Sequence, residues 1–261
     1  MHSTADTNPS ATPPELCGYH VERALTPGLS YLAAGPGGRK VVLKRVDDDC
    51  LLRKALHPSI KERLSRVREL AHGGVANLHG VERDADGAWL VWEYVEGQTF
   101  DEYVADPQRT PRDLMILARE LILSVDSLHL QGIVHGALIG GNVIIAPDGA
   151  VRLTHISPLL YTDMEVDADC VLALPEQAVE RRGEQGSPFG QVLAEARREQ
   201  MSMRALGTKV AAMLEVRAEP TEPEIRNEER HIRRRTLLAA AIVALVGFLI
   251  GYAIWRMTQA N

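Results

Sequence analysis

Cysteine is scarce in this chain. Of 261 residues only Cys17, Cys50 and Cys170 carry a thiol, and they lie far apart, with no CxxC pair and no histidine pair nearby. That spacing excludes a zinc-ribbon pattern and points to a reducing compartment. Positive charge is also short: 29 Lys and Arg stand against 35 Asp and Glu, a net charge of −6. With no basic stripe interleaved with aromatics, a nucleic-acid partner is not expected. MHSTADTNPSATPPEL at the start has neither a basic n-region nor an apolar h-region, so it reads as a disordered leader and not as a secretory signal. Internal repeats are absent.

What is present is enough apolar sequence, 45% of the residues, for one sizeable domain with appendages. The run from Thr236 to Trp255, TLLAAAIVALVGFLIGYAIW, has no charge and no proline. About 20 such residues at roughly 1.5 Å rise match a hydrocarbon core of about 30 Å, so one transmembrane helix is expected. Arg230, His231, Arg233, Arg234 and Arg235 precede it and only Arg256 follows. The positive-inside bias therefore puts the larger N-terminal part in the cytoplasm, as a single-pass, tail-anchored membrane protein. Gly247 and Gly251 form a GxxxG spacing in the run, suited to close approach of two helices and hence to a homodimer. Arg217 to Arg230 is acidic, carries prolines and reads as a linker.

Between leader and linker the periodicity changes once. Tyr19 to Val46, Leu78 to Val81 and Ala88 to Val95 have strand character, punctuated by GPGG at Gly35 to Gly38 and DADG at Asp84 to Gly87. Ile60, Leu64, Val67 and Leu70 share one helical face. So do Leu114, Leu117, Leu121, Val125 and Leu128 within Asp113 to Gln131. Strands first and helices afterwards indicate an α+β fold.

The stretch HGALIGGN, His135 to Asn142, has the length and flanks of a protein-kinase catalytic loop, His-Arg-Asp-Leu-x-x-x-Asn. Thirteen residues past Asn142, after NVIIAPDGAVRLT with its Asp148-Gly149 turn, His155-Ile156-Ser157 occupies the place of Asp-Phe-Gly. VVLK ends at Lys44 like the strand that carries the phosphate-pairing lysine, and Leu90 to Gly97 resembles the fifth strand and hinge. Ala173 to Gln177, ALPEQ, resembles the Ala-Pro-Glu that closes an activation segment, and Ala205 to Glu215 resembles the central large-lobe helix. Together these order the chain like a divergent bacterial Ser/Thr protein kinase domain from about Tyr19 to about Glu215. The resemblance implies a two-lobed kinase-like fold with a truncated large lobe: leader 1–18, small lobe and hinge 19–97, large lobe 98–215, linker 216–235, transmembrane helix 236–255 and tail 256–261.

The resemblance also exposes what differs. Ala137 takes the place of the catalytic Asp, and a methyl group accepts no proton. His155 takes the place of the metal carboxylate, and neutral imidazole is a poor magnesium ligand, so no metal is expected. Lys44, Asn142 and Gly28, which matches the last glycine of the loop motif, are the candidate nucleotide contacts; the plain readings are a solvated lysine and an Asn that braces its loop. Arg23 and Leu25 fall where the other loop glycines belong, while Val42 and Trp92 crowd the adenine side. Arg63 falls where a glutamate would pair with Lys44, with Glu62 one residue away, and like-charge repulsion would then hold that helix off. Ser202 or Met203 falls near the anchoring Asp of the central helix, with Glu180 to Met201 as an insert before it, and Glu176 is expected to pair with a large-lobe arginine.

Three functions fit these residues. The first is a pseudokinase, a scaffold or allosteric partner of another protein, such as an active kinase, at the membrane. The second is a sensor of nucleotide or ligand, with ATP bound without magnesium as the candidate cofactor. The third is a residual ATP-dependent phosphotransferase, since HGALIGGN also resembles the HGDxxxxN loop of aminoglycoside-type enzymes.

Overall fold

A computed structural model describes residues 15–70, 73–85 and 87–215. The N-terminal half builds an antiparallel sheet of six strands in the order β1-β2-β3-β4-β8-β7. These are β1 (Glu15–Leu16), β2 (Tyr19–Thr26), β3 (Ser30–Ala34), β4 (Lys40–Arg45), β7 (Leu78–Arg83) and β8 (Ala88–Glu93). A short hairpin, β5 (Leu51–Leu52) and β6 (Ala55–Leu56), sits between β4 and helix α1 (Pro58–Arg68). β1 corrects the boundary of the leader: Cys17 and Gly18, both at positive φ, turn the chain so that Glu15 and Leu16 pair with His20 and Tyr19. The sheet thus begins four residues before Tyr19, with β2 starting where the small lobe was expected to.

Period-two alternation sends β8 side chains to two different cores. Trp89 and Val91 join Tyr31, Ala33, Val41 and Leu43 on one face. Leu90 and Trp92 point the other way, into the main core, where Val42 and α1 residues Ile60, Leu64 and Val67 also pack. Fully burying a side chain the size of Leu90, 1% exposed, is worth about 1.5–3 kcal/mol.

Beyond the hinge follow β9 (Gln98–Thr99), α2 (Phe100–Ala105), α3 (Pro111–Leu130), β10 (Val143–Ile145), β11 (Val151–Leu153), α4 (Glu165–Arg181), α5 (Pro188–Arg198) and α6 (Met203–Glu215). Thr99 with Glu102 and Thr110 with Asp113 form reciprocal capping boxes that start α2 and α3. Those bonds hold both carboxyls below their usual pKa. Gly97 is required at the hinge: its φ is +152°, and a Cβ there would strike the Ile145 carbonyl of β10.

The large lobe departs from the sequence expectation at one helix. ALPEQ does not close a loop; Ala173 to Gln177 lie inside α4, with Pro175 in the helix interior. The chain runs from His155 to α4 in fewer than a dozen residues, so α4, and not Ala205 to Glu215, is the helix beneath the catalytic-loop segment. The stretch Glu180 to Met201 is likewise no insert before that helix; its first two residues end α4 and the rest turns into α5. Glu176 pairs with Arg197 of α5 at 2.7 Å, in line with the expected large-lobe partner. The apolar run Thr236 to Trp255, with Gly247 and Gly251, lies outside the described residues. Among the described residues no helix is long and apolar enough to cross a membrane.

Candidate functional site

The segment His135 to Asn142 leaves α3 and passes over the N-terminus of α4, and its shape is set from below. Asp167, fully buried on α4, accepts from the backbone N–H of His135 at 2.6 Å and of Gly136 at 2.8 Å. His129 Nε2 of α3 completes its shell at 2.8 Å. Burial alone would raise the Asp167 pKa, but these bonds hold it below the usual carboxylate range. Asp167 is therefore the anchoring aspartate, and the expectation of Ser202 or Met203 in that place is corrected. The signal was in EVDADCVLALPEQA: Asp167, Val171, Leu174 and Ala178 are all buried and fall at helical spacing.

Gly136, at φ +67°, lies where the family pattern has arginine, and the Tyr161 ring occupies the space a Cβ would need. His135 is fully buried and neutral: Nε2–H donates to the Thr154 carbonyl at 3.1 Å, and Nδ1 accepts from Ala137 N–H at 3.3 Å. Burial first of all lowers its pKa to about 4, against the pull of Asp167.

A cleft of about 560 Å³ lies between the sheet and this segment, lined by Val42, Lys44, Asn142 and His155 among others. Asn142 is used internally. Its Nδ2 donates to the Ala137 carbonyl at 2.7 Å, so its Oδ1 is the atom that meets His155 Nδ1 at 3.2 Å. His155 Nδ1 consequently carries the proton, and Nε2 carries the lone pair. Nε2 is buried and has no hydrogen-bond partner among the described residues. The backbone of His155 has φ 62°, a conformation that costs a non-glycine residue of order 1 kcal/mol. Burial, then Lys44 and His135, lower its pKa to about 3. The ring meets Trp92 edge to face, centroids 5.9 Å apart. Trp92 is wholly buried core and does not line the cleft.

Two expectations about the cations change. Glu62 is exposed and makes no pair with Lys44. Arg63 does not oppose Lys44 either: its Nε donates to the Ser157 carbonyl at 2.9 Å and its Nη2 to the Val134 carbonyl at 2.6 Å. Helix α1 is thus fastened to both segments that flank the cleft floor, by carbonyl acceptors in place of a lysine–glutamate pair. Lys44 lines the cleft with no hydrogen bond or ion pair among the described residues; burial lowers its pKa, partly offset by Asp47. Gly28 is a turn residue at φ +73° whose N–H donates to the Tyr31 hydroxyl at 3.1 Å, and it does not line the cleft.

Magnesium is the metal such a cleft implies, and the residues present do not fit it. The carboxylate position holds an imidazole, and Asn142 Oδ1 faces an N–H. Of the lining carboxylates, Glu93 is bonded to Asn77 and Arg152, and Glu102 to Thr99. Among the described residues no group of three or more His, Cys, Asp or Glu is placed to hold a metal ion.

Comparison with known proteins follows the same outline. A family model described as protein tyrosine and serine/threonine kinase matches residues 28–166, more than half of the chain. A probable serine/threonine-protein kinase, mkcB, of Dictyostelium discoideum is 28% identical over 109 residues, 39% of this chain and 15% of its own length. CBL-interacting protein kinase 9 of Oryza sativa subsp. japonica is 27% identical over 118 residues, 45% of this chain and 26% of its own. The chain thus spans well under half the length of the curated relatives it matches. The PknI kinase domain of Mycobacterium tuberculosis superposes with a TM-score of 0.56 at 16% identity, covering 80% of this chain and 99% of that one. At that identity the likeness is one of fold.

Proposed function

The chain belongs to the protein tyrosine and serine/threonine kinase family, and from that premise we propose that it is a catalytically impaired member, a pseudokinase. It serves as a scaffold or allosteric partner, held at the cytoplasmic face of a membrane by Thr236 to Trp255. A divergent bacterial-type domain with a shortened large lobe is part of this reading. One observation carries it: the polar group left on the catalytic-loop segment, Asn142, is closed onto the Ala137 carbonyl and His155 Nδ1. Phosphoryl transfer depends on a proton acceptor and on metal held against the phosphates. Ala137 has no acceptor, and the groups that would hold metal bond to one another instead. The partner is a protein, either another kinase or a second copy brought together through Gly247 and Gly251.

The test is γ-phosphate transfer by the purified full chain in detergent, to itself and to a general protein acceptor. No transfer is expected; transfer lost in Lys44→Ala sinks the proposal and favours a residual phosphotransferase. A protease-accessible tag after Asn261 on the outer side of the membrane is the expected topology, and a cytoplasmic tag overturns the anchor. A second reading, a ligand sensor, is favoured by Lys44, an unpaired and largely desolvated cation that faces the cleft.

A further inference from the structure

Helix α3 buries one face and leaves another bare. Leu114, Leu117, Leu121, Val125 and Leu128 face the main core. Helix α6 runs beside one flank, where Arg112 donates to the Leu214 carbonyl at 3.1 Å and Arg204 pairs with Asp126 at 3.8 Å. On the outward face Ile116, Leu123 and Leu130 are 40%, 49% and 76% exposed. An amphipathic helix carries polar side chains on such a face. A single exposed leucine is ordinary, but these three are spaced by seven, so they drift by only about 20° per step and form one line about 21 Å long.

The line reads the same from either end. A two-fold axis at Leu123 brings that residue against its own copy and sets Ile116 opposite Leu130, so every apolar side chain meets another. The charges agree with the axis. Arg119 and Asp126 lie on one flank of the line, four residues before Leu123 and three after it. Like flanks meet in an antiparallel pair, so Arg119 of each copy comes against Asp126 of the other, twice over. Their neighbours within one chain, Glu120 at 3.2 Å from Arg119 and Arg204 at 3.8 Å from Asp126, form solvent-exposed pairs of little worth, which a second copy can displace. We propose that this face of α3 is a contact between two copies of the chain, packed antiparallel about Leu123. The inference rests on the second-copy reading of the partner and adds to it a surface on the kinase-like domain that does not depend on Gly247 and Gly251. Three apolar side chains from each copy make a small interface of the transient class, and it closes at two copies because both use the same surface.

The test combines sedimentation of the full chain in detergent with cysteine cross-linking by a short bis-maleimide, the unmodified chain with Cys17, Cys50 and Cys170 serving as baseline. Leu123→Cys is expected to cross-link to itself, and Ile116→Cys to Leu130→Cys when the two variants are mixed. No cross-link at Leu123→Cys above the baseline overturns the proposal. Ile116→Cys that cross-links to itself marks parallel packing and overturns it too. Leu123→Glu is expected to abolish this contact and leave the urea midpoint of the dilute chain unchanged, because the side chain is exposed. Arg119→Asp and Asp126→Arg should each raise the Kd of the dimer by about fivefold or more, and the double exchange should restore it. A double exchange as weak as the single ones overturns the antiparallel register. The same measurements are repeated with Gly247→Leu and Gly251→Leu in place. Cross-linking at Leu123→Cys that persists there supports α3 as a contact in its own right; cross-linking lost there overturns it and leaves pairing through the apolar run standing. Absence of a dimer in the unmodified chain at every concentration removes both.

Discussion

Two polar clusters share the segment His135 to Asn142, one beneath it and one above, and they are built on opposite terms. Beneath, Asp167 takes three donors from His129, His135 and Gly136, while Arg63 gives two bonds to the carbonyls on either side. Above, Lys44 lines the cleft without an ion pair among the described residues, and His155 Nε2 is buried with no hydrogen-bond partner among them. A folded chain keeps a fully satisfied buried network because any missing member strands its partners, and it tolerates an unsatisfied one only where something else gains. The lower cluster carries the fold; the upper one is where binding is to be sought.

The contrast can be broken most forcefully from below. Asp167→Ala strands two backbone N–H groups and His129, and a loss of about 3–5 kcal/mol in urea unfolding is expected. Asp167→Asn, which keeps an oxygen, loses less. Arg63→Met removes two charge-assisted bonds and is expected to cost about 2–4 kcal/mol, with faster hydrogen exchange confined first to Pro58–Arg68. A loss below about 1 kcal/mol for either would mean that the lower cluster does not carry the fold.

Acid probes both clusters together. His135 and His155 have pKa values lowered on folding, to about 4 and about 3, so the unfolded chain takes up protons first. Stability is complete above about pH 6.5 and falls as pH drops toward 4, by up to about 1.4 kcal/mol per pH unit for each imidazole. Urea midpoints across that range check the sign, and His155→Asn should flatten the slope by about half. Asparagine tolerates the positive φ and keeps a donor for Asn142 Oδ1.

The smallest effect is expected from above and has the reverse sign. Lys44→Met replaces an unpaired, desolvated ammonium by an apolar chain of similar length and should leave stability unchanged or raise it by up to about 1 kcal/mol. Arg63→Met and Lys44→Met are thus the same kind of change at two neighbouring cations with opposite outcomes. A clear destabilisation by Lys44→Met would give the lysine a structural task.

Much of this was legible before the structure. Strand alternation and turn residues located the sheet, and the helical spacing of Leu114 through Leu128 located α3, because each signal is local. Helix α4 was obscured by Pro175: a proline inside a periodic run reads as a break, and ALPEQ imitated a loop-closing pattern at the same place. Arg63 was found at the right position and given the wrong neighbour. Its acceptors lie 71 and 94 residues away and are backbone carbonyls, which carry no signature in side-chain identity. The tautomer of His155 likewise follows only once the amide of Asn142 has been oriented by Ala137.

Trp92 gives the molecule an optical property of its own. Its indole N–H is buried without a partner and its ring stands edge to face with His155, whereas Trp89 donates to Asp84 on the opposite face of the same strand. Of the two tryptophans among the described residues, Trp92 therefore touches a side chain that lines the cleft and Trp89 does not. Emission from Trp92 should respond to changes at His155, with Trp89 as the comparison, once the third tryptophan, Trp255, is replaced by phenylalanine.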